Sequence, residues 1–307
     1  MTIKTIHRHQ HHLGWDNANL PVLEVAPGDS VQLELLDASR GLMQSDSDVA
    51  TLAELKLEHA NPLTGPVCID GAEPGDTLVV QIDGFELSTW GWTAIIPGFG
   101  LLTDDFPDAL VHISNYDAEH VDFLPGIRLP TRPFAGTIGV TPAEPGNHSA
   151  IPPLPTGGNM DICSLVAGTT LYLPVAAEGA LFSAGDGHAA QGNGELCGTA
   201  IETALGLEVR FDLIKNQNQI TPRFEVPARA QPTVSDTIVT TGIGPDLYVA
   251  AQDSARRMID QVVARCGIAP AEAYCLLSVA ANLNIAEIVN VPNWTVCCEL
   301  PLNIFAD

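Results

Sequence analysis

The chain reads as mainly β, with sandwich- or barrel-like sheets, and ends in a C-terminal α+β part that contains a helical hairpin. Three observations predict this. Turn residues recur about every ten positions, the spacing of short strands in a sandwich or barrel, in a chain with 27 glycines and 23 prolines. A short motif repeats: Pro27-Gly28-Asp29 feeds the alternating run Ser30–Leu35, Pro74-Gly75-Asp76 feeds Thr77–Ile82, and Ala167-Gly168-Thr169 opens a looser third copy. Beyond residue 246 the apolar period changes from alternation to helical spacing.

The elements follow in order. The N-terminal segment holding His7, His9, His11 and His12 reads as a frayed or edge strand. In each Pro-Gly-Asp copy, Pro presets the first turn dihedral and Gly supplies the next, so a strand starts just after it. Residues 129–155 are rich in Pro, Gly and Thr and read as loops laid over a core, with one strand-like piece at Thr137–Val140. Leu205, Leu207, Val209, Phe211 and Leu213 alternate, so one face of residues 205–214 turns inward; Arg223–Val226 is a further strand. Leu247, Ala251, Ala255, Met258, Ile259, Val262, Val263 and Cys266 keep helical spacing, and Gly267 is placed as its left-handed cap. Pro270 suits the first turn of a second helix running to about Asn282, with Leu276, Leu277, Ala280 and Leu283 inward. A last strand covers Trp294–Leu300. The expected divisions are 1–140, a β-rich N-terminal domain, 141–235, a β domain carrying the glycine-rich motifs, and 236–307, an α+β part packed on the sheets.

Composition narrows the function. With 46% apolar and 16% charged residues, 307 residues suffice for a large core and two or three sub-domains. The net charge of −24 repels phosphate backbones and anionic membranes, so neither nucleic acid nor membrane is an expected partner. The seven cysteines are scattered, odd in number and without a CxxC, and the N-terminus lacks a signal-peptide core; a reduced, cytoplasmic protein is expected. Adjacent Cys297 and Cys298 should face opposite sides of a strand. There is no G-x-S-x-G elbow, Gly-Gly-Ser-Ser run or P-loop, and the three lysines stand beside no nucleophile.

The chemistry concentrates in Gly185-Asp186-Gly187-His188-Ala189-Ala190-Gln191-Gly192-Asn193-Gly194-Glu195-Leu196-Cys197-Gly198. Asp186 and His188 are two apart, so extended backbone projects them to one face, and Glu195 returns after a glycine-rich excursion. Together they can offer O, N and O to a divalent ion, which acidifies water near pH 7, with a carboxylate to take the proton. The same residues also suit a loop whose Asp and His only satisfy backbone groups. In Thr156-Gly157-Gly158-Asn159-Met160-Asp161, Asn159 can bond an amide and Asp161 can ligate or act as base; an Asx turn is the plainer reading. Asp37, at a strand end, can join a site or simply start a turn. Cys197 is the rival nucleophile, but no activating base is visible beside it.

These segments, with His12-Leu13-Gly14-Trp15-Asp16-Asn17, Asn61-Pro62-Leu63-Thr64-Gly65-Pro66-Val67, Gly71-Ala72-Glu73-Pro74-Gly75-Asp76 and Gly91–Leu102, stand in an order that resembles the acetamidase/formamidase family over nearly the whole chain. The resemblance implies hydrolysis of a short-chain, neutral amide (formamide or acetamide type) to carboxylate and ammonia, a β-rich homo-oligomer, and a divalent metal, zinc first and calcium second. Under it, Asp186 and His188 are expected metal ligands, with Asp161 or Asp37 completing the set. Glu195 is the expected general base, and Asn159 and Gln191 orient the amide. The family usually carries Asp where this chain has Asn193, and His where it has Thr156 and, before the Pro-Leu-Thr-Gly-Pro stretch, Asn61. Three other readings stay open: a Cys197-dependent amidohydrolase, a β-sandwich that only binds a small ligand, and a hydrolase of a larger or cyclic amide whose pocket Trp15, Trp90, Trp92 and Phe99 would line.

Overall fold

The computed structural model describes residues 3–125, 127–228 and 236–305. Two large sheets face each other. One has nine strands, in the order Lys4–Ile6, Ser30–Leu35, Leu205–Ile214, Thr77–Glu86, Thr170–Pro174, Arg223–Val226, Thr237–Gly244, Trp294–Pro301 and Asn282–Glu287. The other has seven: Pro153–Leu154, Gly157–Asn159, Phe134–Val140, Phe182–His188, Leu63–Ile69 and His11–His12 in order, with Leu23–Val25 paired to Leu63–Ile69. A four-stranded meander, Trp90–Ile95, Leu110–Tyr116, His120–Leu124 and Ile127–Pro130, flanks them. No sheet closes into a barrel among the described residues.

The core lies between the two large sheets because alternation turns one face of each inward. Leu33, Val80, Leu207, Val209 and Phe211 of the first meet Val67, Ile69, Ile138, Val140 and Phe182 of the second, and the rings of Phe182 and Phe211 cross edge-on at 5.0 Å. All three turn-motif copies feed strands of the nine-stranded sheet. The 90–130 meander carries little signal in the sequence, because its later strands are largely exposed.

The helical hairpin is present as Leu247–Cys266 and Pro270–Ala280. Asp246 caps the first helix through Val249 N–H, and Gly267 closes it at φ 67°, donating to Val263 O. The hairpin packs Met258, Val262 and Leu277 on Ile238, Cys298 and Leu300. Cys297 faces the main core while its neighbour Cys298 faces the hairpin, so the strand carrying them is covered on both sides. The second helix ends earlier than expected: Asn282–Glu287 is a strand, and Leu283 is exposed rather than inward. β-Pairing with Trp294–Pro301 wins over continued helical spacing.

The nine-stranded sheet draws strands from each of the segments 1–140, 141–235 and 236–307, and Phe134–Val140 pairs with Phe182–His188 across residue 140. The second boundary, at 235, lies outside the described residues. The described cysteines, 68, 163, 197, 266, 297 and 298, are free; the side chain of Cys275 lies outside the described set. No described helix is long and apolar enough to cross a membrane.

Candidate metal and catalytic centre

The centre forms where three neighbouring strands of the seven-stranded sheet end together. Phe134–Val140 sits between Gly157–Asn159 and Phe182–His188, with Thr137 opposite both Asn159 and Gly185. Gly136 thereby lies opposite Asp186. A Cβ on Gly136 would stand 2.5 Å from Asp161 Oδ1 and from His188 Cε1, and 2.8 Å from Asp186 Oδ2. Only glycine leaves this space to the three side chains.

His188 is the hub. Its Nε2 lies 3.4 Å from Asp186 Oδ1 and 3.3 Å from Glu202 Oε2, and its Nδ1 lies 3.9 Å from Asp161 Oδ1. Phe134 holds the ring edge-on at 4.9 Å. Two sets of ligand atoms are close enough to share an ion, Asp161 with Asp186 and His188, and His188 with Glu195 and Glu202. Asp186 and His188 occupy the end of a strand, as their spacing in extended backbone suggested. Ala189 and Ala190 exchange hydrogen bonds with Ile201, which brings Glu202 opposite His188.

Glu202 was missed. Its signal in the sequence was a lone carboxylate inside the apolar run Thr199–Leu205, where burial demands a partner. Asn290 was missed as well. Its Nδ2 donates to Asp161 Oδ2 at 2.6 Å, and its own backbone is set by Glu287, whose Oε1 accepts from Val289 N–H and Asn290 N–H. Asn61 spans the floor, donating to Asn159 Oδ1 at 3.0 Å and Asp186 Oδ2 at 3.1 Å. With Asn159 Oδ1 taken by Asn61 and Thr137, its NH2 end is what Asn159 can offer a ligand.

Two expected site residues do something else. Asp37 is buried, but its carboxylate accepts from Trp92 Nε1 at 2.6 Å, Ser39 Oγ at 2.6 Å and Gly41 N–H at 2.8 Å. It belongs to neither ligand group and anchors Trp92 in the cavity wall. Gln191 Nε2 donates to Asp161 O at 2.9 Å, so it braces the backbone of Asp161 from behind. Cys197 bonds only Thr199 and opens on neighbouring grooves, not on the central cavity. Thr156 is buried with Oγ1 unpartnered, and Asn193 is exposed, accepting from Cys163 Sγ. Of the N-terminal histidines, His11 and His12 lie on an edge strand and His7 and His9 in the turn before it, and none joins a ligand group among the described residues; His12 is bound to Gly14 O and Ser183 Oγ.

Electrostatics set the centre apart from a structural cluster. Burial pushes Asp161 up to about 7 and Glu202 up to about 8. Burial and the nearby Asp161 raise Glu195 well above the usual carboxylate range. Burial opposes charge on His188, but Glu202 and Asp186 outweigh it and hold its pKa well above the usual value. Asp161 Oδ1, Asp186 Oδ1, Glu202 Oε2 and both ring nitrogens of His188 have no hydrogen-bond partner although all are buried. Most buried polar side-chain atoms have a partner, so five unpartnered atoms in one cluster stand out, and carboxylates converging on an imidazole form a hard-cation donor set. The residues fit a divalent ion.

Strain marks the same place. Asn61, Asp161, Asp186 and Glu195 all have positive φ, 50°, 48°, 58° and 47°, an unusual cost for non-glycine residues that collects at functional sites. Above them opens a cavity of about 40 Å³ with Asn61, Asn159, Asp161, Asp186, Glu195, Glu202 and Asn290 at one end. Trp92 and Phe99 line it; Trp15 packs with Leu63 and Ala150 instead, and Trp90 with the meander.

Comparison with known proteins gives the family. The model of the acetamidase/formamidase family matches residues 3–150 and 145–307. The chain belongs to that family. It is 27% identical to a formamidase of Methylophilus methylotrophus, over 96% of this chain and 89% of the relative. Its fold superposes on the crystal structure of an acetamidase from Bacillus halodurans with TM-score 0.90 and 28% identity, covering 98% of each chain. It is also similar, at TM-score 0.68 and 26% identity, to a gamma lactamase from Delftia acidovorans, covering 97% of this chain and 90% of the other.

Proposed function

We propose that this protein hydrolyses a short-chain amide of the formamide or acetamide type to carboxylate and ammonia, aided by a divalent ion, zinc first. The observation that carries the reading is the set of unpartnered buried donors at the floor of a cavity of about 40 Å³. That volume admits on the order of three or four water-sized groups, the bulk of formamide or acetamide. Family membership supports the reaction class.

A divalent ion held by Asp161, Asp186 and His188 would supply Lewis-acid polarisation of a carbonyl and acidification of water when bound. The chain's own groups do the rest. Asn159 offers its NH2 to the amide oxygen, and Asn61 and Thr137 hold Asn159 in that orientation. Glu195 lies at the cavity and beside Asp161, with a carboxyl poised high by burial. It takes a proton from the attacking water as the C–O bond forms. It then returns that proton to nitrogen as the C–N bond breaks, leaving ammonia and the carboxylic acid, whose remaining proton passes to ammonia or solvent to give the carboxylate. Asn290 and Gln191 fix Asp161 from two sides. A homo-oligomer in a reducing, cytoplasmic setting is part of the same proposal.

Hydrolysis of a cyclic amide is the second reading, favoured by the likeness to the gamma lactamase. The test is metal content by elemental analysis together with ammonia release from formamide and acetamide, and ring opening of a γ-lactam, before and after chelation. Stoichiometric zinc, ammonia release lost on chelation and restored by zinc are expected. Turnover unchanged after verified metal removal overturns the metal's role, and stabilisation by amides without turnover leaves only a binding protein.

A further inference from the structure

We infer that the ring of Phe99, seated on Gly198, sets the longest acyl chain the cavity admits; the inference rests on the amidase reading and names the residue that tunes its substrate. Exposure grades the cavity from floor to mouth. Asp161, Asp186 and Glu202 are 1%, 3% and 2% exposed, whereas Leu57 is 52% exposed. The ionisable lining groups are Asp161, Asp186, Glu195 and Glu202, and the large aliphatic and phenyl side chains of the wall are Leu55, Leu57, Ile96, Phe99 and Ile151. An amide whose polar head engages the floor therefore turns its acyl substituent to that wall.

Phe99 differs from the rest of the wall because it has nowhere to go. Gly198 has φ 89°, and a Cβ there would stand 2.6 Å from Phe99 Cε1. The ring thus lies directly against the backbone of the turn that carries Glu195, a turn closed by Gly198 N–H to Glu195 O at 2.7 Å. The loop bearing Phe99 is tied to the same turn by Leu101 N–H to Leu196 O at 2.9 Å, and to itself by Phe99 N–H to Ile96 O. Gly100 approaches so closely that a Cβ would stand 2.8 Å from Cys197 O. Leu57, half in solvent, can swing outward. In a cavity this small, each methylene added to the acyl chain presses on a ring that the Glu195 turn holds in place.

The experiment measures kcat/KM for formamide, acetamide, propionamide and butyramide in the metal-loaded protein and in Phe99→Leu, Phe99→Ala, Phe99→Trp and Leu57→Ala, with thermal midpoints as the fold check. The butyramide-to-formamide ratio should rise roughly tenfold or more in Phe99→Leu and Phe99→Ala, the scale on which a pocket discriminates one methylene. Phe99→Trp should lower the acetamide-to-formamide ratio. Unchanged ratios in folded Phe99→Leu and Phe99→Ala, or an equal shift in Leu57→Ala, overturn the inference. If the parent protein releases ammonia from none of these amides, the amidase reading fails. Thermal stabilisation by butyramide against formamide then reads the size limit: gain in Phe99→Ala alone supports it, and no difference among variants overturns it.

Discussion

Replacing Gly136 by alanine tests the whole geometry of the centre with one methyl group. The added Cβ would meet Asp161 Oδ1 and His188 Cε1 at 2.5 Å and Asp186 Oδ2 at 2.8 Å. Ordinary contact needs about 3.5 Å or more, so the three side chains must retreat by roughly 1 Å. None can do so freely: all three are at most 3% exposed, and Phe134 and Asn290 block two of the directions. Overpacking of this kind costs about 1–3 kcal/mol of stability, and a 1 Å misplacement of reacting groups costs about 10²-fold in rate. The expected result is a folded protein whose kcat/KM for formamide is about 10²-fold lower and whose zinc is lost on dialysis against a zinc buffer that leaves the parent loaded. Gly84→Ala, where nothing lies within 4 Å, is the comparator. A Gly136→Ala variant that keeps both its zinc and its kcat/KM would refute the assignment of these three residues to one centre.

Other outcomes follow from the same geometry. Glu195→Gln should lower kcat by about 10²–10⁴-fold while zinc stoichiometry stays intact; near-parental kcat would remove Glu195 as the base. Cys197→Ala, which alters a group outside the cavity, should leave kcat/KM unchanged, and its loss would revive the thiol mechanism. The pH response of metal-free protein has a definite sign. Asp161 and Glu202 have folded pKa values of about 7 and about 8, raised from 3.8 and 4.5. Their protonated forms therefore stabilise the fold fully below about 4, and that contribution disappears as pH rises through 7–8. Thermal midpoints of chelated protein should fall between pH 6 and 9, and zinc should flatten the curve by taking the protons' place; a pH-independent midpoint after chelation would contradict the buried carboxyl cluster.

The sandwich was legible because its two signals are local. Pro-Gly-Asp turns and the alternation of Leu205–Leu213 report on neighbouring residues, and so does the helix Leu247–Cys266 with its Gly267 cap. Asp186, His188, Asp161, Glu195 and Asn159 were legible for a similar reason, standing in dense polar motifs of their own. What stayed hidden depends on distance in sequence. Asn61, Glu202 and Asn290 each look ordinary locally and acquire meaning only through pairing with strands far along the chain. Asp37 and Gln191 differ in the opposite way: residue type suggested a ligand for one and an amide contact for the other, and the structure gives Asp37 to Trp92 and the Gln191 NH2 to the Asp161 carbonyl. Donor chemistry can be read from a sequence; which donor is already spoken for cannot.

The bond from Asn290 to Asp161 has a temporal meaning. The cavity floor and the cluster beneath it are drawn from positions 61, 136, 159, 161, 186, 188, 195, 202 and 290, so the last contributor leaves the ribosome long after the glycine-rich motif. Until Asn290 is made, Asp161 lacks one of its two braces, and the strand Asn282–Glu287 that delivers it has not yet met Trp294–Pro301. A nascent chain carrying every residue of the glycine-rich motif therefore still lacks part of the floor. The cluster is complete only when the far end of the polypeptide folds back onto it.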